Sequence, residues 1–215
     1  LQLILEEMLP VIANQKLADY CDIFCEENYF TSDDTFELLE AAAKLGINGK
    51  VHAEQLSHSG GTQAGIDAKA TSVDHLEYVS DADIIKLKSS KTIPTILPGA
   101  QWFLQLPYPP VRKMIDAGLG IAMASDFNPG SCPSGNMNFM ASIACVQYKM
   151  TPEEVINAGT INSAYAMGLE NEVGSITPGK RANLIITKEI PSLAFLPYSF
   201  SNNEIDQVII NGKSI

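Results

Sequence analysis

The sequence contains no apolar run of about 18 residues, the length that a membrane-spanning helix requires. Positive charge is also scarce, because 14 Lys and Arg residues stand against 25 Asp and Glu residues and give a net charge of −11. A protein with so few basic groups is poorly equipped to neutralise nucleic-acid phosphates or anionic lipid headgroups. We therefore expect a soluble, cytoplasmic protein that binds neither nucleic acid nor a membrane.

The four cysteines, Cys21, Cys25, Cys132 and Cys145, form no CxxC pair, and the histidines do not follow the spacing of a zinc finger. The spacing of Cys21 and Cys25 would allow both to share one face of a helix. Free cysteines are commonly buried in protein interiors. We therefore expect reduced structural thiols and assign no chemistry to them.

The chain of 215 residues, 46% of them hydrophobic, is long enough to bury a core without disulfides. It begins at Leu1 with neither a start methionine nor a leader sequence, so we expect part of a longer protein. Short apolar runs alternate with longer amphipathic ones from Asp22 to Asp126, a pattern typical of parallel strands joined by helices. The predicted helices include 33–44, 81–89 and 110–117. The predicted strands end near Phe24, His52, Asp74 to His75, Leu97 and Asp126.

Cap and turn signals divide the chain further. The segment 31–34, Thr-Ser-Asp-Asp, supplies N-caps for the first of these helices, and Gly46 supplies its C-terminal stop. The strand ends lie about 22 to 29 residues apart, which suits a barrel or a doubly wound sheet. Beyond them, the loop 128–135 is rich in Gly, Pro and Ser and is long enough to line a site. Three helical segments up to Gly168 and short strands at 182–187 and 207–210 follow, the latter in a small β unit.

Only three histidines occur, and two of them, His52 and His75, close predicted strands, as does Asp126. The carboxyl ends of parallel barrel strands share one rim, so these side chains are expected to converge. Two imidazoles and a carboxylate there would suit zinc or iron. Each residue also has a structural explanation, since either histidine can be a hydrogen-bonded strand-end residue and Asp126 can start an Asx turn. The third histidine, His58, is most simply a polar loop or helix-cap residue.

Several segments, in chain order, resemble the imidazolonepropionase family of amidohydrolases, from about Leu9 to the end. Leu-Pro-Gly-Ala at 97–100 and Asp-Phe-Asn-Pro-Gly-Ser at 126–131 are specific to that family, whereas the segment at 174–180 is shared across amidohydrolases. The remaining matches are 51–56 (Val-His-Ala-Glu-Gln-Leu), 72–77 (Ser-Val-Asp-His-Leu-Glu), 109–112 (Pro-Pro-Val-Arg), 150–154 (Met-Thr-Pro-Glu-Glu) and 160–164 (Thr-Ile-Asn-Ser-Ala).

The resemblance implies an α/β fold, a partial (β/α)8 TIM-like barrel over residues 1–170. Residues 171–215 would supply the C-terminal strands of a small β-sandwich that the family builds from both chain termini. The family's His-x-His strand, and an Arg, a Tyr and a His that recognise substrate, would all precede Leu1. Asn183 stands where the family usually has Asp, a change expected to be tolerated in the β unit.

The resemblance also implies a site. His52 and Asp126 would bind one Zn²⁺ or Fe ion per subunit, and Asp126 would also shuttle protons. His75 would polarise the ring carbonyl or hold the water. Gln55, which replaces Glu of some members, would contact the ring or the water, but a neutral amide cannot act as a general base, so that role falls to Asp126 or His75. Substrate would be held by Asn128, Gly130 and Ser131.

The implied reaction is hydrolysis of the cyclic amide of 4-imidazolone-5-propanoate to N-formimidoyl-L-glutamate, a step of histidine degradation, by a metal-activated water. Two alternatives stay open. One is another amidohydrolase, of deaminase or dihydroorotase type, and the other is a domain that has kept the fold without catalysis. A small-molecule substrate is expected, and homodimer formation is left open.

Overall fold

The computed structural model describes residues 1–200 and 202–215 and divides into two compact units. The first unit comprises residues 1–95 and 116–119, and the second comprises residues 96–115 and 120–215. Within the described residues, the helices are too short or too polar to traverse a lipid bilayer.

The first unit alternates strands and helices, as the apolar pattern predicts. A π-helical turn, Ile4–Met8, leads into its first helix. All its strand pairs are parallel, in the order β1-β2-β3-β4. Its elements are α1 (Leu9–Gln15), β1 (Tyr20–Cys25), α2 (Ser32–Lys44), β2 (Asn48–Ala53), α3 (Gly61–Asp67), β3 (Ser72–His75), α4 (Asp81–Lys88) and β4 (Ile93–Ile96), whose last residue belongs to the second unit.

The strand register separates an apolar face from a polar one. Val51 and Val73, paired across β2 and β3, are fully buried. The alternate positions of β2 and β3 are polar, and His52 and Asp74 are paired there, with Phe24 of β1 beside His52. Because side chains alternate along a strand, the apolar face packs into the core, while the other face supplies the polar groups of the unit.

Helix α2 begins where the cap signals predict. Thr31 Oγ1 accepts a hydrogen bond from the Asp34 backbone N–H at 3.1 Å, and Asp34 Oδ2 accepts from the Thr31 N–H at 2.9 Å. The helix ends at Lys44, and Gly46 follows with a φ of +79°, a left-handed conformation that glycine adopts without steric cost. The predicted start and stop of this helix are confirmed.

The second unit contains one short strand, a set of helices and a separate antiparallel sheet. A π-helical turn, Ala158–Asn162, joins two of its helices. Its elements are α5 (Pro98–Leu104), α6 (Val111–Asp116, whose last residue belongs to the first unit), β5 (Ala122–Met123), α7 (Met137–Gln147), α8 (Pro152–Asn157), α9 (Ser163–Ala166), β6 (Leu184–Thr187), α10 (Phe195–Tyr198), β7 (Ile205–Ile210) and β8 (Lys213–Ser214).

Two helical side chains support strand β5. Asn162 Nδ2 donates to the Ile121 carbonyl at 2.9 Å, and Ser163 Oγ donates to the Met123 carbonyl at 3.0 Å. Ala124 N–H also donates to the Ile96 carbonyl at 3.1 Å. Side chains thus satisfy backbone groups that a second neighbouring strand would otherwise satisfy. The Thr-Ile-Asn-Ser-Ala segment at 160–164 therefore holds the strand that leads to Asp126.

The small sheet, ordered β6-β7-β8, confirms the predicted β unit and adds a third strand. Asn211 and Gly212, both at positive φ, form the tight turn between β7 and β8, as expected for an Asn-Gly hairpin. Asn183 Oδ1 accepts the Asn211 N–H at 2.8 Å. An amide oxygen therefore supplies an acceptor that a carboxylate would also offer, which agrees with the expected tolerance of Asn183.

One predicted strand end is wrong. The strands expected to end near Phe24, His52, His75 and Leu97 end within one residue of these positions, but β5 ends at Met123, three residues before Asp126. Asp126 has a φ of +53°, which is incompatible with an extended strand. Asp126 therefore lies in the loop after the strand. The boundary predicted at residue 170 stays a prediction, because the two compact units divide the chain at other positions.

Candidate metal and substrate site

His52 lies on the polar face of β2, one residue before the strand ends. Its Nδ1 is 2.8 Å from Asp22 Oδ2, which lies on β1. A carboxylate beside one imidazole nitrogen commonly fixes the ring orientation in histidines that bind metals through the other nitrogen. The arrangement thus suits a ligand role for His52.

His75 ends β3 in an unusual backbone conformation. Its φ is +85° and that of Leu76 is +70°, two consecutive left-handed residues without a glycine. Such strain costs free energy and is often found at functional sites. The His75 side chain is 1% exposed, and its Nδ1 lies 3.5 Å from Glu77 Oε1. Within the described residues this nitrogen makes no hydrogen bond, so a buried polar atom is available to another group.

The two imidazoles lie together. Their ring centroids are 5.0 Å apart, and a potential ligand nitrogen of each lies within 4.8 Å of the other. Imidazole nitrogens suit zinc and iron. The spacing, the carboxylate beside His52 and the available Nδ1 of His75 together fit a metal ion in this part of the first unit.

Gln55 is half-buried in the loop 54–60 between β2 and α3. The residue before it, Glu54, is fully buried at a φ of +54°, and its Oε2 accepts the Thr62 N–H at 3.0 Å and the Thr62 hydroxyl. Burial raises the pKa of Glu54, while the two hydrogen bonds from Thr62 oppose that shift. This carboxyl therefore stabilises the loop rather than facing solvent.

Sequence reasoning missed Glu54 and a second buried acid, Glu26. Each comes directly after a buried residue at the end of a parallel strand, Cys25 for Glu26 and Ala53 for Glu54. An acidic residue in that position is a signal that could have been used, because strand ends at that edge carry functional groups.

His58 is an exposed loop residue, as predicted. Its Nε2 lies 2.8 Å from Asp83 Oδ2, and the same oxygen accepts from the Ser80 N–H and hydroxyl at the start of α4. The hydrogen bond to Asp83 raises the pKa of His58. Burial alone would raise the pKa of Asp83, but the hydrogen bonds from Ser80 and His58 outweigh it and lower that pKa. The contact between His58 and Asp83 therefore links the loop 54–60 to α4.

The other predicted site residues lie in the second unit. Asp126 is half-buried at the start of the loop that follows β5. Asn128 and Cys132 exchange two backbone hydrogen bonds of 3.0 and 2.9 Å, and Asn128 Oδ1 accepts the Gly130 N–H at 2.8 Å. The side chain of Asn128 therefore shapes an Asx-type turn. Gly130 is exposed and Ser131 is half-buried in the same loop.

The four cysteines form no disulfide with one another. All four are free thiols; Cys25 and Cys132 are buried, and Cys21 and Cys145 are half-buried. Cys21 and Cys25 lie on strand β1 and not on a helix. Burial raises the pKa of each thiol, which disfavours the reactive thiolate.

Comparison with known proteins identifies the family of the chain. The profile of the amidohydrolase family matches residues 26–215. The chain belongs to the amidohydrolase family. This amidohydrolase is 54% identical over 215 residues to an imidazolonepropionase of Christiangramia forsetii, a match that covers 100% of the chain and 52% of that relative. It is 43% identical over 216 residues to an imidazolonepropionase of Alkaliphilus oremlandii, covering 100% of the chain and 51% of the relative. The chain thus spans about half the length of the curated relatives it matches.

Solved structures share the fold of this amidohydrolase at low sequence identity. An adenosine deaminase from Xanthomonas campestris with bound zinc has a TM-score of 0.80 at 15% identity, over 96% of this chain and 54% of that one. An atrazine chlorohydrolase from Arthrobacter aurescens complexed with zinc has a TM-score of 0.80 at 12% identity, over 98% of this chain and 55% of that one. Together with the family match, these similarities support the predicted barrel-type α/β fold.

Proposed function

We propose that this chain is the C-terminal half of an enzyme that hydrolyses 4-imidazolone-5-propanoate to N-formimidoyl-L-glutamate in histidine degradation. The observation that carries the proposal is the identity of up to 54% over the whole chain to proteins named imidazolonepropionase. The family-specific segments at 97–100 and 126–131 point the same way.

His52 and Asp126 are the proposed ligands of one zinc or iron ion per chain. The carboxylate of Asp22 beside His52, and the closeness of the two imidazoles, support the assignment of His52. Asp126 is assigned from its position after β5 and from the resemblance of its loop to the family. Two ligands are fewer than the three protein ligands usual for catalytic zinc, so further ligands are expected from an N-terminal half.

A divalent ion bound in such a site lowers the pKa of water toward neutrality and polarises a carbonyl group. In the proposed mechanism, the Asp126 carboxylate accepts a proton from the attacking water. It then donates that proton to the ring nitrogen that leaves when the cyclic amide opens. His75 polarises the ring carbonyl or holds the water, a role that its buried Nδ1 and strained backbone support.

Substrate contacts are assigned to two loops. Gln55 contacts the ring or the water as a neutral hydrogen-bonding group, because an amide cannot take up the proton. In the second unit, Asn128, Gly130 and Ser131 hold substrate and product. The hydrogen bond from Gly130 N–H to Asn128 Oδ1 supports this role, since it gives the loop a defined shape.

The similarity to an adenosine deaminase favours one alternative, a different amidohydrolase reaction in the same barrel. A substrate panel separates the two. The longer protein that contains this chain, purified with its metal, is incubated with imidazolone propionate, adenosine and dihydroorotate. We expect ring opening of imidazolone propionate alone. Turnover of adenosine or dihydroorotate without turnover of imidazolone propionate would replace the proposal by the alternative.

The proposed setting is the cytoplasm, because a small-molecule metabolic reaction and four unpaired thiols suit a reducing compartment. The proposed partner is the small-molecule substrate. Homodimer formation stays open.

A further inference from the structure

The loop 54–60 carries Gln55, the residue assigned above to the substrate ring or the water. A loop that presents such a side chain must hold it in place, because small displacements of a positioning group cost much of the rate. Glu26, which directly follows β1, is 3% exposed and lies against this loop.

The carboxylate of Glu26 accepts three hydrogen bonds. Leu56 N–H donates to Oε2 at 2.7 Å, and the Ser57 hydroxyl donates to Oε1. Glu27 N–H donates to Oε1 at 3.2 Å. Two of the three donors thus come from the residues that directly follow Gln55. Because all three partners donate hydrogen bonds, residue 26 must offer a side chain that only accepts them. A carboxylate meets this requirement, whereas a carboxamide also carries donors.

The chain is also held on the other side of Gln55. The Glu54 carbonyl accepts the Tyr78 N–H at 2.9 Å, and the Glu54 carboxyl binds Thr62. Further along the loop, the Ser59 hydroxyl donates to the Cys25 carbonyl at 2.8 Å. Gln55 therefore sits between two fixed residues, and Glu26 is the side chain that fixes the one after it.

We propose that Glu26 is a positioning residue for the reaction, which acts by holding the backbone at Leu56 and Ser57 so that Gln55 is presented in its working orientation. The predicted effect of Glu26 on the reaction rate rests on the proposed function. Its predicted effect on the loop 54–60 is independent of that function. It predicts that the rate effect of Glu26 passes through Gln55 and disappears when the Gln55 side chain is removed.

The test uses Glu26→Gln, Gln55→Ala and the double variant in the full-length, metal-loaded enzyme. Glu26→Gln keeps the shape of the side chain but replaces one acceptor oxygen by an NH₂ group. That group cannot accept the hydrogen bonds that the carboxylate receives in the wild type. We expect kcat/KM for imidazolone propionate to fall about tenfold or more, the scale of one lost hydrogen bond to a charged group. The fall should lie mainly in kcat, with metal content unchanged. In the Gln55→Ala background, Glu26→Gln should cost less than about twofold, because residues that act as a unit are not additive.

Hydrogen exchange supplies a readout that does not depend on turnover. Amides of residues 55–57 should exchange about tenfold faster in Glu26→Gln, while those of β3 stay unchanged. The matched control is Glu27→Gln, the adjacent exposed acid, which should leave both kinetics and exchange within about twofold of wild type. Glu26→Asp, which keeps an acceptor-only group, should recover part of the rate.

The outcomes separate the two proposals. A wild-type enzyme that does not hydrolyse imidazolone propionate would refute the proposed function. The exchange experiment would still test whether Glu26 holds the backbone at Leu56 and Ser57. Additive losses in the double variant, or unchanged exchange in residues 55–57, would overturn the positioning role. If Glu26→Gln does not fold, Ser57→Ala decides, because it removes one donor and leaves the carboxylate. A loss of about threefold in kcat with faster exchange at Leu56 supports the role, and wild-type values refute it.

Discussion

Three side chains of the candidate site have contacts that limit the role each can take. His52 lies beside Asp22, His75 is buried with a free ring nitrogen among the described residues, and Asn128 closes its own loop through Gly130. Each contact limits the role its residue can take. The carboxylate beside His52 favours metal binding by that imidazole. The Asn128 side-chain oxygen already accepts a hydrogen bond within its loop, so this side chain helps to define the loop conformation.

Asn128 provides the first prediction. Asn128→Ala in the full-length enzyme should lower kcat/KM for imidazolone propionate about tenfold while the metal stays bound, because the amide shapes a substrate loop and is not a ligand. Steady-state kinetics with elemental analysis measures both. Asn136→Ala, a second loop amide, which caps α7, serves as the matched control. Wild-type kcat/KM in Asn128→Ala would remove the residue from the site.

Asp126 provides the second prediction. Asp126→Asn in the full-length enzyme keeps the size of the side chain and removes its ability to carry a proton, so turnover should fall about 100-fold or more. Metal content is measured in the same preparation. Turnover within a few-fold of wild type, with metal retained, would show that another residue moves the proton.

The candidate metal and substrate residues were proposed from residue type near strand ends and from the family resemblance. His52 and His75 stand out because the chain has only three histidines and both lie at strand ends, whereas Asp126 was singled out by a strand end that the structure places three residues earlier. The buried acid Glu26 was not predictable, since its importance depends on donors about 30 residues away at Leu56 and Ser57. Such contacts arise from the register of β1 against β2, which no local pattern specifies.

At the scale of the elements, the strands and helices of the first unit follow the sequence closely. Strand ends and the cap of α2 were predictable because apolar runs and Thr-x-x-Asp are local signals. Strand β5 departed from the prediction because Asp126 has a positive φ, which the apolar run before it does not reveal. The backbone there is bonded to the side chains of Asn162 and Ser163, more than 35 residues away. The β8 strand was missed because two residues carry no periodicity.

The cap of α2 gives the third prediction. Thr31→Ala removes the acceptor for Asp34 N–H and should destabilise the helix by about 1 kcal/mol. Hydrogen exchange of the first-turn amides measures the local effect and urea unfolding the global one. Ser32→Ala is the control, since its hydroxyl is not part of the capping box. Equal effects of the two substitutions would show that the box adds nothing.

The pair of His58 and Asp83, which links the loop 54–60 to α4, gives the fourth prediction. The hydrogen bond to Asp83 raises the pKa of His58 above its unfolded value near 6.5. The pair therefore stabilises fully below about pH 6.5, and the contribution is lost as pH rises through the higher folded pKa. The lowered pKa of Asp83 keeps that carboxylate charged throughout this range.

Thermal unfolding midpoints of wild type and His58→Gln, measured from about pH 5.5 to 8.5, test this link. The difference in favour of wild type should be largest at the acidic end and should shrink toward the alkaline end. His58→Gln combined with Asp83→Asn should show the same pH profile as His58→Gln alone. A difference between wild type and His58→Gln that does not change with pH would contradict the assignment.

At the scale of the whole molecule, the exposed apolar surface of the small sheet is the main feature. Ile185 is 63% exposed, and Ile186, Ile205 and Ile210 are each more than 40% exposed. Exposed apolar strands of this kind promote association.

The fifth prediction concerns the 215-residue chain expressed by itself. We expect it to self-associate, to bind metal weakly and to leave imidazolone propionate intact, because His52 and Asp126 alone are too few ligands. Size-exclusion chromatography and elemental analysis measure the first two properties. Ile185→Thr should reduce self-association without changing metal content. A monomeric, active chain with one tightly bound metal would refute the prediction.

The measurement that bears most directly on the proposed function is the dependence of turnover on bound metal in the full-length enzyme. Metal is removed with a chelator and restored in steps with Zn²⁺ or Fe²⁺, while loss of imidazolone absorbance is followed. We expect no turnover without metal, a linear rise as metal is added, and a plateau at about one ion per chain. Full hydrolysis of imidazolone propionate by metal-free enzyme would contradict the metal-assisted mechanism.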